Sequence, residues 1–138
     1  MARKSQGDFV RPSDLTPDVR NANEGTPRGR GMLEDSLRKL GAGRSILLDK
    51  HGRVIAGNKT LEVAAGIGLD KIQVGKTDGH TLVAVQRTDL DLETDANARE
   101  MAYADNRIAQ VDLTWSIPQL QADVAAGLDL TPWRAESS

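Results

Sequence analysis

The chain has no cysteine, two histidines and four aromatic residues, namely one Phe, one Tyr and two Trp. Without cysteine there is no disulfide, no thiolate nucleophile and no zinc site built on sulfur, which fits a reducing compartment. His51 and His80, each beside a turn-forming glycine, are too few for a histidine-based metal centre. So few aromatics do not make a surface that stacks successive bases of a single strand. Long apolar runs are missing too, and no hydrophobic signal segment follows Met1-Ala2-Arg3-Lys4. The chain is therefore expected to be cytoplasmic, neither secreted nor membrane-spanning. It carries no repeat, no low-complexity tract and no helix-turn-helix pattern.

What remains is a length of 138 residues, about one domain with a modest core. Charge is unevenly placed. Residues 1–44 hold nine Lys and Arg against six Asp and Glu, whereas residues 45–138 hold nine against fourteen. That asymmetry can attract a polyphosphate locally but is too weak for non-specific binding of duplex DNA.

The stretch Gly41–Gly68 reads as a glycine-rich loop, a strand, a tight turn, a second strand, and a glycine leading into a helix. Ser45–Asp49 and Arg53–Ala56 are short apolar runs that flank Lys50-His51-Gly52, with glycine where a hairpin needs positive φ. Gly57-Asn58-Lys59-Thr60 then opens the helical run Leu61–Ala65. The first turn of a helix has backbone N–H groups without intrahelical partners, and the helix dipole makes that end positive. A glycine at the junction lets an anion approach the backbone, and Asn58, Lys59 and Thr60 add side-chain donors, which is the chemistry of a phosphate site. Gly43, Arg44 and Ser45 supply a second set of amides, a guanidinium and a hydroxyl. The spacing is neither the P-loop pattern nor the dinucleotide G-x-G-x-x-G. The bland reading is a tight turn in which Asn58 or Thr60 simply caps the helix.

Elsewhere, residues 1–13 read as a flexible polar arm, and 14–27 as a turn-rich connection. Met32, Leu33, Leu37 and Leu40 recur at helical spacing and end at Gly41, a C-cap residue, after Arg38 and Lys39. Strands are expected over 71–76 and 81–87, joined by the turn Thr77–His80. Asp89, Asp91, Glu93 and Asp95 form an acidic run; without the EF-hand glycine and terminal Glu it reads as helix-start acids and solvated loop. Ala96–Val111 is the longest helix, and a last one covers 118–126. Asp105, Asn106 and Arg107 follow one another on the long helix, so successive turns of ~100° keep all three from facing one ligand. Trp115 and Trp133 read as packing anchors for the tail. The element order predicts a mixed α/β (α+β) fold, a small mixed sheet with surrounding helices.

Taken together, these segments resemble the N-terminal domain of the ParB chromosome-partitioning proteins, in the superfamily that also contains sulfiredoxin and a free-serine kinase. The resemblance spans about Leu15–Leu113. Gly57–Ala64 falls on the family's G-E-R-R-x-R-A-A motif: Gly57 and Ala64 agree, Lys59 keeps the charge of an Arg, and Asn58 and Thr60 depart. Asp105-Asn106 lies on the Glu-Asn pair with the acid shortened. Thr16–Asn23 lies on the N-P-x-Q-P-R box, with Arg20 as its basic residue. The variant looks closer to the ParB-like proteins of phages and mobile elements, many of them described as nucleases. Sulfiredoxin activity is excluded for want of cysteine, and the partitioning proteins' helix-turn-helix module is not expected here.

The resemblance implies a ParB/sulfiredoxin-like nucleotide-binding domain over 14–113, followed by a C-terminal helix and tail over 114–138. It implies a nucleoside triphosphate, CTP or ATP, with magnesium. Gly57–Thr60, Gly43–Ser45, Arg20, Asn106 and Arg107 would hold the nucleotide, Asp105 the metal, and Asp105 or Glu62 would act as base in an NTPase. DNA is an indirect partner and a homodimer is left open. Three other readings stay beside it. One is a phosphotransferase using Asp18 or Glu24, one a nuclease, and one an interaction module that has kept the fold without the chemistry.

Overall fold

The computed structural model describes residues 8–111 and 114–133. It is a mixed α/β protein with four α-helices and two separate two-stranded antiparallel ladders among the described residues. Strand β1, Asp8–Val10, pairs with β4, Ile72–Val74, while β2, Leu47–Leu48, pairs with β3, Val54–Ala56. The helices are α1 (Pro27–Leu40), α2 (Asn58–Gly66), α3 (Ala96–Val111) and α4 (Ile117–Ala125). None of the described helices is long and apolar enough to cross a membrane.

The hairpin forms as its turn chemistry dictates. Gly52 takes φ 80°, a value that only glycine adopts without strain. Asp49 closes the turn by accepting from the backbone N–H of His51 at 2.8 Å and of Arg53 at 2.9 Å. Arg53 Nε adds a third bond at 2.7 Å. The Arg53 amide, helped by that guanidinium and the His51 amide, lowers the Asp49 pKa from 3.8 to about 2.

Helix α2 is the hub of the small core. Leu61 joins Leu15 and Val54 in one buried cluster, against which Val10, Ile46, Leu48 and Ile72 pack. Val63 and Ala64 join Leu37 in a second cluster with Leu33 and Ile67. Burial on both sides fixes the axis of this short helix, and hence the position of its first turn.

Three expectations are corrected. Residues 8–10, assigned to a flexible arm, form β1; the pairing partner lies more than sixty residues away, so no local pattern marks it. Residues 1–7 of that arm lie outside the described residues. Helix α1 starts at Pro27 rather than Met32: the Thr26 hydroxyl accepts from the Gly29 amide at 2.9 Å, and Pro27 sits where its missing N–H costs nothing. Gly29 and Gly31 hid this first turn from a hydrophobic-period reading. The expected strand over 81–87 does not form. Its apolar residues find no layer to cover them, Leu82 being 96% exposed and Val83 and Val85 about 60%.

Candidate functional site

Three elements meet around the start of α2. The first is the β3–α2 junction. Gly57 has φ 106° and ψ 21°, and a Cβ built on it would lie 2.8 Å from Ile46 Cβ. What the missing side chain admits is therefore Ile46, not an anion, so glycine here serves the close approach of β2 to the corner. Beyond it, the amides of Asn58, Lys59 and Thr60 meet no acceptor among the described residues; the first helical bond runs from Leu61 N–H to Gly57 C=O at 2.9 Å. Three donors thus remain at the positive end of the helix.

The second element is the N-terminal loop. Leu15 is buried, and Thr16 exchanges backbone bonds with Gly52 and Val54 at 3.0 and 2.8 Å. Asp18 N–H donates to Asn58 Oδ1 at 2.8 Å, part-buried. The loop is thereby strapped along the hairpin and holds Asn58 at the helix start. Asn58 acts as a tie between segments, a role its residue type alone does not reveal.

The third element is α3 with the loop that leads into β2. Three contacts fasten α3: Lys39 to Glu100 at 2.9 Å, Arg44 to Asp105, and the Thr26 hydroxyl to the Val111 carbonyl at 2.9 Å. The Arg44–Asp105 pair is bidentate, Nε to Oδ1 and Nη2 to Oδ2, both at 2.9 Å. The hydrogen bonds to Asp105 raise the Arg44 pKa further above its already high ordinary value. Both side chains are about half exposed, so the pair is a solvent-accessible link rather than a buried lock.

These elements enclose a cleft of about 500 Å³, within the size range of small-molecule sites. Its lining includes Gly43, Arg44, Ser45, Gly57, Asn58, Lys59, Thr60 and Asp105. From α3 it takes Met101, Asp105, Ile108 and Ala109, residues spaced to share one helix face. Six candidate site residues stand outside this lining, among them Asp18 and Glu24 of the N-terminal loop. Asn106 and Arg107 are exposed on other faces of α3, Arg107 donating to Gln110 at 3.3 Å. Arg20 is exposed on the N-terminal loop. Glu62 is 57% exposed on α2 and pairs with Arg30 at 2.9 Å. Sequence reasoning in turn missed the apolar part of the lining, Leu33, Met101, Ile108 and Trp115. Trp115, expected to be a packing anchor, is 52% exposed; the side chain of Trp133 lies outside what is described.

The chemistry of the cleft suits a polyanion. Arg44 and Lys59 supply charge, three amides and the Ser45 and Thr60 hydroxyls supply neutral donors, and among the described residues Asp105 is the lone carboxylate in the lining. Among the described residues no three His, Cys, Asp or Glu side chains gather to hold a metal ion. In the acidic run, Asp95 caps α3 through the Asn97 amide at 2.9 Å, and Asp89 is bound by Arg87 at 2.7 Å. No family model matches the chain, and no curated protein or solved structure is significantly similar to it.

Proposed function

We propose that the cleft at the start of α2 binds a nucleoside triphosphate, CTP or ATP, with magnesium, as in the ParB-like domains that the chain resembles. One observation carries this reading. The free amides of Asn58, Lys59 and Thr60 share a single cleft with Lys59, Arg44 and the Gly43–Ser45 loop. Charge-assisted and backbone bonds to phosphate oxygens are the strong interactions such a set offers.

A polyphosphate entering the cleft competes with Asp105 for Arg44. A guanidinium drawn toward the phosphates releases two carboxylate oxygens facing the same space. Magnesium fits this donor set, because it keeps several waters and takes most of its other ligands from phosphates, needing one or two protein carboxylates. Asp105 would hold it, and the ion would neutralise charge on the phosphates. Binding is better supported than turnover: Glu62 stands outside the lining, which leaves Asp105 alone for both metal and base. The resemblance extends the proposal to a cytoplasmic role in phage or mobile-element DNA metabolism, with DNA reached indirectly.

Calorimetry with CTP and ATP in the presence of magnesium tests the reading. Lys59→Ala removes one charge-assisted bond of about 1.5–3 kcal/mol and should weaken binding roughly 10- to 100-fold. Absence of binding by any nucleoside triphosphate to the wild-type protein would overturn it.

A further inference from the structure

The cleft extends past its phosphate-binding corner to residues of a different character. One turn along α3 from Asp105, Ile108 and Ala109 replace charge with apolar surface, and Leu33 of α1 and Trp115 join them. A rise of 1.5 Å per residue puts that apolar segment about 5–6 Å along the helix from Asp105, a distance a sugar could bridge.

Trp115 is held in an unusual way for an aromatic residue. Its backbone is clamped against the N-terminal loop: Glu24 N–H donates to the Thr114 carbonyl at 2.6 Å, Ser116 N–H to the Ala22 carbonyl at 2.5 Å, and Thr114 N–H to Asn23 Oδ1 at 2.9 Å. An antiparallel bridge between Asn23 and Trp115 completes the clamp. Yet the residue is 52% exposed, and its indole N–H meets no acceptor among the described residues. A buried tryptophan would contribute its large apolar area to the core; this one is fixed at its base, lines the cleft and stays half exposed.

We infer that Trp115 is the specificity-determining wall of the cleft, an aromatic face against which a planar ring of the ligand stacks. The inference rests on the nucleotide reading above and sharpens it: the cleft takes an anion joined to a flat heterocycle, and discriminates a nucleotide from a bare polyphosphate. Stacking is tolerant of ring identity, so Trp115 selects for a base without choosing which base.

The experiment compares Mg-CTP and Mg-ATP with inorganic tripolyphosphate plus magnesium on the full chain, in a Trp133→Phe background so that fluorescence reports on Trp115 alone. Both nucleotides should quench the fluorescence, and tripolyphosphate should not. By calorimetry, Trp115→Ala should lower nucleotide affinity roughly 10- to 100-fold, as expected for loss of one base–aromatic stack. Trp115→Phe should restore most of it, and tripolyphosphate affinity should be the same in all three proteins, which also certifies that the variants are folded. Equal wild-type affinity for nucleotide and tripolyphosphate, or parallel losses of both in Trp115→Ala, would overturn the role of Trp115 while leaving a phosphate site in place. Binding of neither ligand to wild type would overturn the nucleotide reading and this inference together.

Discussion

Gly57 stands with φ 106° and ψ 21°, and an alanine in its place would meet Ile46 at 2.8 Å from its Cβ and 3.1 Å from its Cα. Two costs follow from Gly57→Ala. Holding a side chain at positive φ costs about 1–2 kcal/mol, and forcing a methyl into an occupied corner costs about 1–3 kcal/mol more. The expected loss is about 2–5 kcal/mol, a large share of the stability of a small domain. Urea denaturation measures it as a shift in midpoint at constant slope. Ile46→Gly separates the two costs, since it removes the Cβ and the methyl that crowd the new side chain and leaves only the Cα at 3.1 Å. In that background Gly57→Ala should cost about 1–2 kcal/mol, giving a coupling well outside the ~0.5 kcal/mol expected of independent sites. Additive effects, or a loss below about 0.5 kcal/mol in the wild-type background, would refute the claim that this glycine exists to seat Ile46.

Asp49 titrates well below an ordinary carboxylate because the Arg53 amide, the Arg53 guanidinium and the His51 amide stabilise its charged form. Its contribution is complete above its unfolded value near 3.8 and is lost as pH falls toward about 2. Hairpin amide signals followed by NMR should weaken across that window, and Asp49→Asn should abolish the dependence. For Asp105→Asn, folding stability should change by no more than about 1 kcal/mol, because its partner pair is half exposed. Tripolyphosphate without magnesium should bind more tightly to that variant, since Arg44 is no longer held by a carboxylate; unchanged or weaker binding by calorimetry would show that Arg44 does not reach the anion.

The parts of this protein readable from its sequence are those whose cause is local. Gly52 in the hairpin turn, Gly41 after α1 and the alanine-rich run of α3 each carry their own instruction, and the structure places α3 at Ala96–Val111 as its composition implies. The parts that were not readable depend on distant partners. Strand β1 needs β4, and the apolar run 81–87 has nothing to pair against among the described residues; the first turn of α1, by contrast, has a local signal in Thr26-Pro27 that Gly29 and Gly31 obscure. The cleft divides in the same way. Its donors cluster within Gly43–Ser45 and Gly57–Thr60 and were visible as short polar motifs. Met101, Ile108 and Trp115 look like ordinary packing residues until α3 and the 114–116 segment are set beside them. Helical phase also explains why Asn106 and Arg107, adjacent to Asp105 in sequence, fall outside the lining.

The proposed site requires anionic oxygens to reach the amides at the start of α2. Titration of the 15N-labelled protein with Mg-CTP or Mg-ATP addresses this directly. The Asn58, Lys59 and Thr60 amides should show the largest shifts, saturating with the affinity measured by calorimetry and weakening in Lys59→Ala. A nucleotide that binds while those three amides stay still, or that shifts instead the shallow surface from Leu92 to Arg99, would contradict it.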